Sequence, residues 1–260
     1  MLDIHFTYSD LQTFLLIVVR VTSFVFAAPF FGGMNNTPRR VKVGMGICFS
    51  LLLYGVVDHP TLDFDNEIEY AIIVAKEVIC GLLIGLGAQL CTTVTSLAGF
   101  IVDMETGMSM AQVFDVNTRL QTSITGGIYQ AAITLILIVS GMYQYLVKAL
   151  AESYTLLPIG GIKLNTDKLL QAFVTFMSDY MSIAFRIALP IFCCILLLNT
   201  VLGILAKVAP QMNMFAVGIQ MKVLSGLSIL YITAFTLPRV AEFIFTQMRT
   251  IVVDMIEGMM

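Results

Sequence analysis

Charge is what this chain of 260 residues lacks most: Asp, Glu, Lys and Arg make up 12% of it, about half the roughly 25% of an average soluble domain. Several long stretches carry none at all, among them Val21 to Pro38, Val78 to Val102, Leu120 to Val147 and Ile187 to Ala206. A helix on the surface of a soluble protein shows charge on its outer face at helical spacing, and these stretches do not. About 20 apolar residues suffice for one helical crossing of a bilayer. With 58% hydrophobic residues, the chain reads as an integral membrane protein.

Other absences narrow the function. Tryptophan is missing, so an interfacial aromatic belt would have to come from Tyr54, Tyr70, Tyr143, Tyr145 and Tyr154, near the ends of apolar runs. The two histidines, His5 and His59, stand far apart, which argues against a histidine-based metal or acid–base centre. All five cysteines, Cys48, Cys80, Cys91, Cys193 and Cys194, lie in apolar runs and read as small buried hydrophobes, not disulfides or metal ligands. No Gly-x-Ser-x-Gly elbow and no Gly-x-x-x-x-Gly-Lys-Ser/Thr loop occurs, so neither hydrolase nor nucleotide-driven chemistry is indicated. Gly85-Leu-Gly87 lacks the third glycine and the preceding strand of a dinucleotide motif. No cofactor is expected. No basic-aromatic surface points to nucleic acid. The first residues are acidic rather than basic, so the first apolar segment is expected to stay in the membrane as a helix.

What remains is a series of apolar segments. The first runs from Leu11 to Phe31, and a loop through Pro38 leads to the basic cluster Arg39, Arg40 and Lys42. A second spans Val43 to Val57, followed by an acidic loop with Asp58, Asp63, Asp65, Glu67 and Glu69. By the positive-inside rule the basic loop is cytoplasmic and the N-terminus lies outside. The third, about Tyr70 to Val102, carries Gly81, Gly85 and Gly87 as a small-residue packing face. A fourth covers Ile124 to Val147; a long helical region from Thr166 to about Leu205 contains Arg186 and Pro190. Asn165 can cap that region, with Leu164 and Leu169 placed as a hydrophobic staple. A last apolar run, Met212 to Leu237, precedes a tail over 238–260. There Val240, Phe243, Ile244, Ile251, Val252, Met255 and Met259 recur opposite Arg239, Glu242, Arg249 and Asp254. That is an amphipathic helix suited to a membrane surface or a partner subunit. The fold expected is all-α and multi-pass, in one membrane domain over 1–260.

Two groups of polar residues stand out. Arg20, the neighbours Lys76 and Glu77, and Arg186 fall within apolar stretches, where a mid-bilayer charge costs ~2.5–3.5 kcal/mol unless it is paired or hydrated. They read as contacts between helices or subunits, or as parts of an ion or proton path. The second group is the interlude 103–123, with Met104, Glu105, Gly107, Met108, Met110, Phe114 and Asp115 between two apolar runs. It is either an ordinary loop or a methionine-lined constriction that gates by excluding water.

Several blocks together resemble the FliR/SctT family of type III secretion export gates. They are Arg20-Val-Thr-Ser-Phe-Val-Phe-Ala-Ala-Pro29 with Pro38-Arg-Arg-Val-Lys-Val-Gly44, and Ala98-Gly99 through Asp103, Gly107, Met110-Ala111 and Phe114-Asp115. Leu157-Pro-Ile-Gly-Gly161 with Leu164-Asn165 follows, then Ala188-Leu-Pro190, Asn199, Leu202-Gly203, Ala209-Pro-Gln-Met-Asn213, Val217-Gly218 and Lys222. The resemblance implies a subunit of a gate built with FliP-like and FliQ-like proteins, working with FlhA-like and FlhB-like proteins and passing unfolded flagellar substrates through the cytoplasmic membrane at the basal body. It also implies that 103–123 is a pore plug and that much of the helical mass is raised above the bilayer plane. Glu105-Thr106, Val116 and Gln220 depart from the family pattern. Two rivals stand beside this reading: a secondary transporter binding solute near Pro190 or Lys76–Glu77, and a purely structural scaffold.

Overall fold

Hydrocarbon offers backbone N–H and C=O groups no water, so a spanning segment must bond its own backbone, and the α-helix does so without a neighbour. The computed structural model describes residues 8–29, 31, 38–57, 67–111, 113–115, 120–163, 165–211 and 213–260. Among these, the helices in chain order are α1 (Tyr8–Ala27), α2 (Arg39–Tyr54), α3 (Glu67–Thr106), α4 (Ile124–Val139), α5 (Met142–Leu156), α6 (Thr166–Val208), α7 (Met214–Thr233) and α8 (Leu237–Glu257). Stretches within α1, α3 and α6, and the run Ala216–Glu257, are each long and apolar enough to cross a membrane; α4 and α5 together make a further one. The protein is an all-α, multi-pass membrane protein. His5, His59, Asp58, Asp63, Asp65, Val116, Leu164 and Met212 lie outside the described residues.

Several boundaries differ from the sequence expectation. Helix α3 does not stop at Val102 but runs on through Asp103, Met104, Glu105 and Thr106, because Asp103 is buried and fully bonded. Glu67 and Glu69 form the first turn of α3 and do not belong to the loop before it, a placement the helix dipole favours. The run Ile124–Val147 is broken at Ser140–Gly141, where Gly141 takes φ 77°, a left-handed conformation that suits glycine. Between α3 and α4 the backbone forms a short 3₁₀ turn, Met108–Ala111, and two three-residue strands, β1 (Val113–Asp115) and β2 (Leu120–Thr122).

The described chain packs as two compact units. The first comprises residues 1–91, 141–176 and 246–260, the second 92–140 and 177–245. In the first unit α1 crosses α3 at Gly81 and Gly85. A Cβ at Gly81 would strike the carbonyl oxygen of Arg20, and one at Gly85 the carbonyl oxygen of Phe24. The helices therefore approach backbone to backbone, as small residues permit. Around this crossing Leu16, Ile17, Val21 and Phe24 are buried with Cys80, Ile84 and Leu146.

The apolar stripe of α8 was expected to face a membrane surface or a partner subunit. Within the first unit it turns inward instead: Met248, Ile251, Val252 and Met255 are buried, and Gly87 of α3 leaves room for Ile251 and Met255. The chain end is tied down by the N–H groups of Lys163 and Asn165, which donate to the carbonyls of Met259 and Gly258 at 3.1 Å each. Asn165 caps α6 as expected, its Oδ1 accepting the Lys168 N–H at 3.2 Å.

In the second unit Val94 and Ala98 of α3 pack on Ile183 and Ala184 of α6. One turn on, Val102 meets Ala188, Ile191 and Ile195, flanked by Ile229 and Leu230 of α7. Helix α6 continues unbroken through Pro190. Much apolar surface stays uncovered: Leu197, Val201 and Ile204 of α6 and Leu224, Tyr231 and Ile232 of α7 are exposed. Cys193 and Cys194 share that exposed surface and Cys48 is exposed too, so only Cys80 and Cys91 are the buried hydrophobes expected.

Candidate functional site

The interlude between α3 and α4 is closed at its base by glycine. Gly99 of α3 sits so near Gly126 of α4 that a Cβ on Gly99 would fall on the Gly126 backbone. Alongside, the Ser96 hydroxyl donates to Gln130 Oε1 at 2.9 Å. This approach carries Asp103, one turn further along α3, to the N-terminal end of α4.

Asp103 is completely buried. Its Oδ2 accepts the Ile124 N–H at 2.7 Å and the Ser123 hydroxyl at 2.7 Å. The Thr125 N–H donates to Oδ2 at 3.3 Å, and the Thr125 hydroxyl to Oδ1. Ser123 in turn caps α4, its Oγ accepting the Gly126 N–H at 2.8 Å. The first N–H groups of a helix have no partner within the helix and carry partial positive charge, so a carboxylate is well placed there. Asp103 thus clasps together the two ends of the segment between α3 and α4. The sequence reading took Asp103 as the start of a loop. The signal it passed over was Ser123-Ile-Thr125, a hydroxyl-rich helix start following an apolar run that ends in a lone acid.

Above the clasp, α3 ends at Thr106, whose hydroxyl donates back to the Val102 carbonyl at 2.9 Å. Gly107 follows with φ 81°, the left-handed turn that commonly ends a helix. Met104 is exposed, while Glu105 and Met108 are half-buried. Met110 belongs to the 3₁₀ turn. Phe114 pairs with Gln121 and Asp115 with Leu120 in the antiparallel hairpin. The expected plug residues are thus divided between the last turn of a helix, a turn and a hairpin.

Arg20 and Glu77 meet in the first unit, far along the sequence from this segment. Arg20 Nε donates to Glu77 Oε2 at 2.5 Å, both side chains fully buried. The two terminal nitrogens of Arg20 donate to the Leu157 carbonyl at 3.1 Å, and its guanidinium lies 4.2 Å from the centre of the Tyr154 ring. Glu77 Oε1 accepts the Gly160 N–H at 3.3 Å. Tyr154 is therefore a buried wall of this cluster, not part of an interfacial belt. Glu77 takes its partner from α1, and its sequence neighbour Lys76 is half-buried. Arg186 is exposed on α6, as are Arg39 and Arg40 on α2. Lys42 lies 5.7 Å from the centre of the Phe26 ring. Among the described residues no group of three or more His, Cys, Asp or Glu side chains could hold a metal ion.

Long apolar helices, a buried ionic cluster and a clasped polar excursion between two of the helices define a multi-pass membrane protein. The sequence matches the profile of bacterial export proteins, family 1, over residues 11–248, and the chain belongs to that family. It is 28% identical over 226 residues to the flagellar biosynthetic protein FliR of Aquifex aeolicus, covering 86% of this chain and 85% of that one. With FliR of Escherichia coli it shares 25% identity over 250 residues, covering 92% and 90%. With the surface presentation of antigens protein SpaR of Shigella flexneri it shares 24% over 241 residues, covering 91% and 92%. The resemblance to FliR/SctT proteins is thus a membership. The chain is a membrane component of a flagellar or other type III export apparatus and is not an enzyme.

Proposed function

We propose that this chain is the FliR-type subunit of a protein export gate in the cytoplasmic membrane at the flagellar basal body, with its N-terminus outside and Arg39, Arg40 and Lys42 on the cytoplasmic side. FliP-like and FliQ-like subunits complete the channel, FlhA-like and FlhB-like proteins work with it, and unfolded flagellar proteins pass through. Residues 103–123 obstruct the channel at rest, with Met104, Met108, Met110 and Phe114 as its yielding apolar seal, beside Glu105, Gly107 and Asp115. Arg20, Glu77 and Lys76 serve contacts between helices or subunits.

One observation carries the reading of the plug. The segment leaves α3 at Gly107 and returns at Ser123, and the returning end is bonded to the buried carboxylate of Asp103, one turn before the point of departure on α3. A segment fixed at its base and bounded by a glycine turn can swing aside without unravelling the helices that carry it. The uncovered apolar faces of α6 and α7 support subunit contacts, since a contiguous exposed apolar face marks a surface that a partner can cover.

The test is deletion of 108–114 in cells carrying the complete export apparatus. Membranes should become leaky to ions or small solutes while the complex still assembles. Unchanged permeability argues against a plug, and tolerance of polar residues at Met108 and Phe114, with export and permeability both normal, favours a scaffold.

A further inference from the structure

Within the second unit, a cavity of about 320 Å³ opens between α4, α6 and the 3₁₀ turn that joins α7 to α8. Its walls are largely apolar, including Ile183, Ile187, Leu237 and Phe243, yet two guanidinium-bearing residues, Arg186 and Arg239, line it with them. We propose that this cavity is a binding site for the headgroup of an anionic phospholipid, with the phosphodiester bridging Arg186 and Arg239. The inference does not rest on the export-gate reading.

Charge complementarity is the first argument. No Asp or Glu lines the cavity, and among the described residues neither arginine has an ion-pair partner. Both are exposed, on helical runs apolar enough to cross a membrane, where an uncompensated cation is costly. The compensating anion must come from outside this chain. Guanidinium groups match phosphate oxygens in planar, paired hydrogen bonds, and basic pockets between membrane helices recurrently take phospholipid headgroups.

Two further features favour a lipid over a carboxylate from another protein. Pro190 has no N–H, so the Arg186 carbonyl lacks its usual donor one turn along α6. Phosphatidylglycerol brings hydroxyl donors that can reach such an acceptor, whereas a carboxylate brings none. The apolar walls also match the glycerol and first methylenes of an acyl chain.

The experiment is native mass spectrometry of the full-length protein in detergent, with phosphatidylglycerol or phosphatidylcholine added, for the wild type, R186Q and R239Q. Wild type should retain phosphatidylglycerol in preference to phosphatidylcholine, and each variant should lose about ten-fold in retention, since hydrogen bonds to charged groups contribute at least that much. Equal retention of the two lipids, or phosphatidylglycerol binding unchanged in the variants, overturns the proposal. Should R186Q fail to fold, R239Q, altered at an exposed position in the first turn of α8, still decides. Photoreactive phosphatidylglycerol should crosslink to peptides containing 237–243 in the wild type; crosslinks only elsewhere overturn the site. A photoreactive residue at Phe243 that captures a co-purifying polypeptide and no lipid does the same.

Discussion

Arg20 and Glu77 are separated by 57 positions in sequence and meet at 2.5 Å, neither side chain reaching the surface. The meeting depends on glycine. Gly81 stands one turn beyond Glu77 on α3 and admits the Arg20 carbonyl where any Cβ would collide. The close helix crossing and the buried ion pair are therefore one arrangement, and the spare groups of the pair are taken up by the turn after α5, through Leu157 and Gly160.

Removing one member of this pair should cost far more than removing both. Arg20→Ala leaves a buried carboxylate without its cation, expected to destabilise by about 3–5 kcal/mol. The double substitution R20M/E77L removes both charges and fills similar volume, so it should be less harmful than R20A alone. Thermal unfolding of the detergent-solubilised protein measures both, and an R20M/E77L variant as unstable as R20A or more so would show the two charges to be uncoupled.

A side chain at the glycine crossing should separate α1 from α3. Gly81→Val has to displace the Arg20 backbone, and overpacking of this kind costs about 1–3 kcal/mol or more. Gly87→Ala is the matched control, because the nearest atoms there, from Ile251 and Met255, lie at an ordinary 3.7 Å. Gly81→Val should lower the unfolding temperature well below that of Gly87→Ala. Equal effects would mean that α1 does not depend on this contact.

The helices were legible in the sequence because hydrocarbon leaves little choice of backbone, and uncharged runs mark where it applies. Gly81 and Gly85 were legible as a packing face for the same reason. The partners of the charges were not. Composition shows that Glu77 needs a cation, and adjacency suggested Lys76, but neighbours one position apart on a helix point about 100° apart. The pairing with Arg20 needs the fold. The inward turn of α8 was hidden likewise, since an amphipathic stripe reads the same whether it meets lipid, a partner or its own chain. Asp103 read as the edge of a loop because its four donor groups lie about 20 residues downstream.

Gly107 should tolerate replacement poorly, and only locally. Its φ of 81° costs an L-residue about 1–2 kcal/mol, but open space surrounds it, so no clash is added. Gly107→Val should speed amide exchange through 108–111 and leave the core of α3 protected. If protection across 108–111 is unchanged, the turn is not set by this residue.

Asp103 offers the sharpest test of the clasp, because charge can be removed there with almost no change in shape. In Asp103→Asn one of the two acceptor oxygens becomes an amide that must face donors from Ser123, Ile124 or Thr125. Each hydrogen bond to the charged group that is lost should cost about 1.5–3 kcal/mol. The loss should concentrate at one place: amides of 124–126 should exchange faster, while those of α6, which lie outside the clasp, should not. Because this carboxylate ties the returning end of the segment to α3, Asp103→Asn should also raise membrane permeability towards that of the 108–114 deletion. Faster exchange at 124–126 with tight membranes would make Asp103 a helix cap and nothing more, and unchanged exchange would remove the clasp altogether.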